Sequence, residues 1–280
     1  MPLSVLNDVA SMVAENELSA TQANLQKALY QLSSGSRINS GADDAAGLAI
    51  ANGLQTNITA LTQSERNAND GIGLLQVADG ALSQVTLLLN RAITLATESA
   101  TGTVSDAQRS ALNTEFTSIR QEIDSIGQNT SFNGSSIFTG TTTTIFLSDA
   151  QTSSSIGVLV NTLGQGSFGT SPVSLRRDNL LTAGDADSGA QKALTDITGA
   201  IAAVAAERGN VGASINRLQA ADNVMVTQVQ NLTSAEDSIT SADIAQTMAN
   251  IAKYDILEQT GMAALAQANS MDQAVLALLR

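Results

Sequence analysis

Asp43 and Asp44 come nearest to a catalytic arrangement, two adjacent carboxylates where a long helical pattern begins. Paired carboxylates can divide acid and base roles, but such work needs correctly placed partners, and no second cluster accompanies them. The chain has no His and no Cys. That removes the commonest metal ligand and general base, together with thiolate nucleophiles, disulfides and zinc–thiolate sites. Acidic side chains at a helix start answer the positive end of the macrodipole, and the pair is read that way. Gly71-Ile72-Gly73 follows no strand, so it does not read as a phosphate loop. Asn57-Ile58-Thr59, Asn129-Thr130-Ser131, Asn133-Gly134-Ser135 and Asn231-Leu232-Thr233 fit the N-glycosylation pattern. Two of these fall in helical seams, and no modification is assigned. This inventory predicts no enzyme, no cofactor and no metal.

The elements that would position any site are long helices. Leu54, Leu61, Ala68, Leu75, Leu82, Leu89 and Ala96 recur every seventh residue within a segment running from about Asp43 to Ala100. Ile58, Ile72 and Ile93 are expected to add a second row four residues further on. Such a seam asks for a partner helix, and at about 1.5 Å per residue the segment would extend roughly 85 Å. Ser40 or Asp43 is its expected cap. Gly47, Gly53, Gly71, Gly73 and Gly80 inside it mark either fraying and kinking or close approach of a neighbouring backbone.

Upstream, residues 3–32 read as an amphipathic helix with Leu18, Leu25 and Leu32 at sevenfold spacing. Downstream, Ser105 and Gln108 form a capping box for a helix through Leu112, Phe116, Ile119, Ile123 and Ile126 that Gly127 should end. The stretch from Asn129 to Leu181 changes to Gly, Ser and Thr, with a turn at Asn133-Gly134 and short strands at 143–148 and 155–161. Helical rhythm returns near Ala190: Leu194, Ile197, Ile201, Val204, Val211, Ile215, Leu218, Met225, Val229 and Leu232 share one frame, from which Arg208 and Asp222 depart. A last helix, about 241–279, carries Ile244, Met248, Ile251, Leu257 and Leu265.

The predicted fold class is mainly α: an elongated antiparallel helical bundle or coiled-coil rod with a small β section, its N- and C-terminal helices paired at one end. Residues 1–32 and 241–280 form a terminal helical polymerisation domain, 33–43 and 233–240 connectors, 44–128 and 186–232 a helical rod domain, and 129–185 its β section. An antiparallel pairing of the two long seams sets Leu75 near Ala213 and brings Gly71, Gly73 and Gly80 towards Gly209 and Gly212. Two paired terminal helices bury one seam only, leaving side chains such as Met12, Ile256 and Leu276 with little cover. Self-association follows, and Leu18, Leu25, Leu32, Ile244, Met248, Ile251, Leu276 and Leu279 are the polymerisation candidates.

Composition agrees. Among 280 residues, 43% are hydrophobic but only 2% aromatic, with no Trp, which suits slender helical packing. A net charge of −13 argues against nucleic acid, whose affinity rests on Lys and Arg. No cleavable secretory signal and no apolar run of about 20 residues is visible, so neither a signal-directed route nor a membrane span is expected.

Residues 32–40, Leu-Ser-Ser-Gly-Ser-Arg-Ile-Asn-Ser, followed by Asp43-Asp44-Ala45-Ala46-Gly47-Leu48-Ala49-Ile50, resemble the N-terminal signature of bacterial flagellins. Arg66-Asn67-Ala68-Asn69-Asp70-Gly71-Ile72, Ala78-Asp79-Gly80-Ala81-Leu82, Phe132-Asn133-Gly134, Leu265-Ala266-Gln267-Ala268-Asn269 and Val275-Leu276-Ala277-Leu278-Leu279-Arg280 extend the match. It covers roughly 1–140 and 186–280, with no large outer domain between.

The resemblance implies a flagellar filament subunit that polymerises with itself beneath a cap, meets hook-associated proteins, and is exported unfolded to the extracellular flagellum. It implies an export chaperone holding the C-terminal helix, and recognition by Toll-like receptor 5 through Arg91, Leu95 and Glu115. Arg91 and Leu95 project about 200° and 240° from Leu89, which turns both away from the seam, while an equal reading packs Leu95 on the helix at 105–126 or on a neighbouring subunit. Ile93, Thr94 and Thr97 replace the Arg, Glu and Val of strongly recognised members, which implies weakened binding. Two rivals are a hook–filament junction protein of the same superfamily and a secreted receptor ligand or adhesin acting as a monomer.

Overall fold

The computed structural model describes residues 9–148, 154–164, 166–168, 175, 178–181 and 189–278; the side chains of residues 10, 167, 168, 272 and 274–278 lie outside that description. Five helices carry the fold: α1 (Val9–Ser34), α2 (Ala45–Ala100), α3 (Asp106–Asn129), α4 (Ala190–Thr240) and α5 (Ile244–Leu278). Three two-stranded antiparallel sheets lie between α3 and α4 in sequence: β1 (Ser131–Phe132) with β2 (Ser135–Ser136), β3 (Thr142–Phe146) with β4 (Ser155–Leu159), and β5 (Leu163–Gly164) with β6 (Ser167–Phe168). The chain is mainly α with a small β section, as its heptads and its Gly/Ser/Thr stretch require. It divides into two compact units, residues 1–56 with 231–280 (unit 1) and residues 57–230 (unit 2).

Unit 2 holds the core. The seam appears where the sevenfold spacing puts it: Leu61, Ala68, Leu75, Leu82, Leu89 and Ala96 are all buried. Its second row falls elsewhere. Ile58, Ile72 and Ile93 are half-buried, whereas Ser64, Gly71, Ala78, Val85, Ala92 and Ser99, three residues after each seam position, are buried. These small residues admit neighbours that larger ones would exclude. Ser64 Oγ donates to Ser148 O at 2.9 Å and accepts from Ser148 N at 3.0 Å. Ser99 Oγ donates to Leu180 O at 2.5 Å. A Cβ on Gly71 would stand 2.2 Å from Ile145 Cδ1 and 3.3 Å from Leu218 Cδ1.

That last contact, with the Arg208–Asp79 ion pair at 2.8 Å, sets α4 antiparallel to α2. On α4 the buried seam is Ile197, Val204, Val211, Leu218 and Met225. The expected meeting of glycines does not occur: Gly73 faces Phe132, and a Cβ on Gly80, Gly209 or Gly212 would meet nothing within 4 Å. Within α2 close approach falls instead at Gly71 and at Gly47, where a Cβ would stand 2.8 Å from Ile38 Cδ1, and on α3 at Gly127, where it would stand 2.0 Å from Leu163 O. Gly127 therefore does not stop α3, which continues to Asn129.

The local signals resolve in detail. Ser105 Oγ accepts from Gln108 N, and Gln108 Oε1 accepts from Ser105 N at 2.9 Å, completing the capping box of α3. The cap of α2 is neither Ser40 nor Asp43 but Asp44, whose Oδ1 accepts from Gly47 N at 2.8 Å and whose carbonyl accepts from Leu48 N. Asn133 and Gly134 take φ of 50° and 78°, the left-handed pair that a two-residue hairpin turn demands. β3 and β4 start and stop close to the expected strands, with Ile145 opposite Ile156.

The segment 233–240, expected as a connector, is the last part of α4. The break shrinks to Ser241–Asp243 because Asp243 caps α5, its Oδ1 accepting from Gln246 N at 3.0 Å. An 18-residue window of α2 is also apolar enough, by length and composition, to cross a bilayer (mean hydropathy 1.5). In the fold its seam is the interior of unit 2.

Candidate assembly surface

Unit 1 is built on α1 and α5. They run antiparallel: Ser11 Oγ donates to Asn269 Oδ1 at 3.4 Å, and Gln22 Nε2 donates to Glu258 Oε1 at 3.1 Å. Between those points Leu18 reaches the place a side chain on Gly261 would occupy, its Cδ1 3.3 Å from that Cβ. Leu18, Leu25, Leu32, Ile251 and Leu265 are all half-buried in this arrangement.

The pairing of the two terminal helices is the one their heptads predict, and the polymerisation candidates Leu18, Leu25, Leu32 and Ile251 lie half-buried within it. Ile244 and Met248 stand outward, about half exposed. The side chain of Leu276, and Leu279 altogether, lie outside the described residues. What remains uncovered is a second set: Val9, Met12, Val13, Leu29, Tyr30, Ile50, Ile256, Leu257, Met262 and Met271. Met12 and Ile256, expected to lack cover, are 60% and 62% exposed. The signal for these positions was present in the sequence as apolar residues off the heptad.

A loop fastens the chain's two parts within unit 1. Gly35 takes φ of 69°, which frees its carbonyl to accept from Ala242 N at 2.9 Å, while Ser36 bridges Ser241. Arg37 N donates to Thr240 O, and Arg37 Nη2 donates to Ile239 O, both at 2.6 Å. Asp43 closes the loop against α1. Its carboxylate meets Lys27 Nζ at 2.7 Å and accepts from Asn39 N and Ser40 N. The Lys27 bond foremost, then the Asn39 N–H, lowers its pKa to about 2. An anion so held does not suit proton transfer at neutral pH, and Asp44 is spent as a helix cap. Among the described residues no cluster of three or more carboxylates could hold a metal.

Arg91 and Glu115 come together across α2 and α3 in unit 2, in an ion pair at 2.7 Å with both side chains about half exposed. Leu95 does not join them at the surface. It is 1% exposed, because α2 there is packed by more than one element and its buried face is wider than a single seam. Glu115 from α3 reaches α2 at Arg91, and the Leu180 carbonyl reaches it at Ser99, on either side of Leu95.

Long helices with a small β section, no assembled catalytic centre among the described residues, and a terminal pair that keeps much apolar surface in water define a structural, self-associating class of protein. Residues 5–143 match the bacterial flagellin N-terminal helical region, and residues 194–279 match the C-terminal helical region. A flagellin of Halalkalibacterium halodurans is 37% identical over 256 residues, 91% of this chain and 92% of that protein. A flagellin of Bacillus subtilis is 34% identical, covering 99% of this chain and 100% of its own. A flagellar filament 33 kDa core protein of Treponema phagedenis is 32% identical, covering 98% and 99%. The chain belongs to the bacterial flagellin family and is a structural subunit of the flagellar filament.

Proposed function

We propose that the uncovered faces of the α1–α5 pair are the surfaces through which copies of this chain pack in the filament. The observation that carries this is the exposure of Val9, Met12, Val13, Ile256 and Met262 on helices whose own seam is already satisfied. Covering one such side chain contributes about 1.5–3 kcal/mol. Association costs about 4–15 kcal/mol in lost freedom, so several must be covered at once, as continuous helical faces allow.

In this reading the chain is secreted to the extracellular flagellum and adds at the tip beneath a cap, after hook-associated proteins. An export chaperone covers α5 beforehand, which accounts for an apolar helix that would otherwise cause premature association. Toll-like receptor 5 meets the free subunit at Arg91 and Glu115, with Leu95 supporting that surface from beneath rather than touching the receptor. Arg91→Ala should weaken binding to the receptor ectodomain while leaving the helical signal intact; equal binding by both proteins would remove the site.

Deleting 1–32 and 241–280 tests the assembly reading. The remaining chain should stay helical and monomeric, and should fail to elongate filament seeds under electron microscopy. Filaments grown from the truncated chain would refute the proposed surface.

A further inference from the structure

The two units differ in the chemistry of the apolar atoms they leave in water. On α1 and α5, Met12, Met248, Met262 and Met271 are 60, 52, 49 and 57% exposed. Met225, on α4 in unit 2, is 5% exposed. Among the described residues of unit 2, the large apolar ones left exposed are Val77, Leu87, Phe146, Leu159, Leu181 and Val224, and none carries sulfur. Thioether sulfur is thus placed selectively on the unit that assembly must cover. With no Cys and no Trp in the chain, these exposed thioethers are also its readiest two-electron reductants.

We propose that Met12, Met248, Met262 and Met271 form an oxidation-sensitive modification site through which hydroperoxides arrest the free subunit before it joins a filament. This rests on the α1–α5 pair being the packing surface. At each residue a sulfur lone pair attacks one peroxide oxygen. An S–O bond forms as the O–O bond breaks, sulfur is oxidised by two electrons, and the departing oxygen leaves as water or an alcohol after proton transfer. The sulfoxide is polar and chiral where the thioether was apolar and flexible. A neighbouring copy would then have to desolvate a strong acceptor without offering it a donor, which opposes association.

Position decides the timing. Met248 and Met262 are two heptads apart and lie within about 40° of each other around α5, so one neighbour can cover both. Sulfur buried under a neighbour is shielded from peroxide, so the free subunit is sensitive and the assembled one is protected. Epimer-specific reductases can reverse the change.

The test uses full-length monomer treated with hydrogen peroxide, quenched, mapped by peptide mass spectrometry and added to untreated seeds. The four residues should oxidise before Met225, helicity should be unchanged, and the critical concentration for elongation should rise about tenfold, the effect of roughly 1.4 kcal/mol. Treatment with both classes of methionine sulfoxide reductase should restore elongation. A variant with Met→Leu at all four positions should elongate and resist peroxide; if it does not elongate, single variants should each keep part of that resistance. Unchanged elongation with all four residues oxidised, undiminished sensitivity of the Leu variants, or no recovery after reduction would overturn the proposal. Failure of untreated wild type to elongate seeds would instead overturn the assembly reading beneath it.

Discussion

Unit 2 buries its large side chains and unit 1 displays them. In unit 2, Leu75, Leu82, Leu89, Phe116, Ile123, Ile197 and Leu218 are all at most 1% exposed, whereas among the described residues of unit 1 the buried apolar ones are Ala28, Ile38 and Ala51. Both units use sevenfold spacing, so periodicity alone does not make a core. The difference lies in coverage. In unit 2 the second row is small and α3, α4 and the hairpin β3–β4 close over it; in unit 1 a single antiparallel seam has nothing above it. A pair of that kind gains most of its remaining hydrophobic stabilisation only when something else covers it.

The sharpest way to break this contrast is to damage the core that is claimed to exist. Phe116→Ala should cost about 3–5 kcal/mol, while Leu18→Ala, at a half-buried seam position, should cost less than the usual 2–5 kcal/mol or so for a core leucine. Circular dichroism in denaturant should therefore show two helical transitions. Phe116→Ala should move the later one and Leu18→Ala the earlier, and a single transition shifted by both would erase the distinction.

A second test uses the charged cluster that holds Leu175 and Asp178 within unit 2. Arg120 Nη1 donates to the carbonyls of Leu175 and Asp178, each at 2.7 Å. Asp178 is buried beside Asp196 and Lys192 of α4, which bond to each other. Burial first, then the Asp196 charge, raises the Asp178 pKa from 3.8 to about 6. The folded state therefore prefers Asp178 protonated. Its stabilising contribution is complete below pH 3.8 and is lost as pH rises through about 6. Asp43 and Asp79, both lowered by their cationic partners, titrate below this window. Unit 2 should accordingly weaken between pH 4 and 7 in denaturant titrations, and Asp178→Asn should flatten that slope.

The smallest effects separate glycines that make room from those that do not. Gly71→Ala should cost about 1–3 kcal/mol by forcing Ile145 to shift. Gly80→Ala, with open space around it, should stabilise unit 2 by about 0.5–1 kcal/mol, the helix propensity regained. Equal outcomes in thermal melts would show that Gly71 is not a packing site.

The seam of α2, the capping box at Ser105, the Asn133-Gly134 turn and the antiparallel register of α4 were legible because each depends on residue type and spacing along one segment. The second row of α2 was not. Ser64, Gly71 and Ser99 look polar or permissive until Ser148, Ile145 and Leu180 arrive from distant parts of the chain, and the nearby isoleucines pull the reading one position away. For Leu95 the sequence left exposure and packing equally open, since its angle relative to one seam says nothing about a second covering element; the fold buries it. In unit 1 the pairing of α1 with α5 was legible from their two heptads, and so was the exposure of Met12 and Ile256, because a two-helix seam covers one face of each helix only.

Unit 1 also fixes an order of events. Ser11 meets Asn269 across 258 positions of sequence, and Gln22 meets Glu258 across 236. Contacts so remote in the chain form late, because the intervening segment must first be brought to a compact form before its ends can meet cheaply. On the proposed assembly reading, the packing surface is incomplete until α5 has joined α1. If that reading holds, the α1–α5 contact also acts as a built-in check that both ends of the subunit are in place.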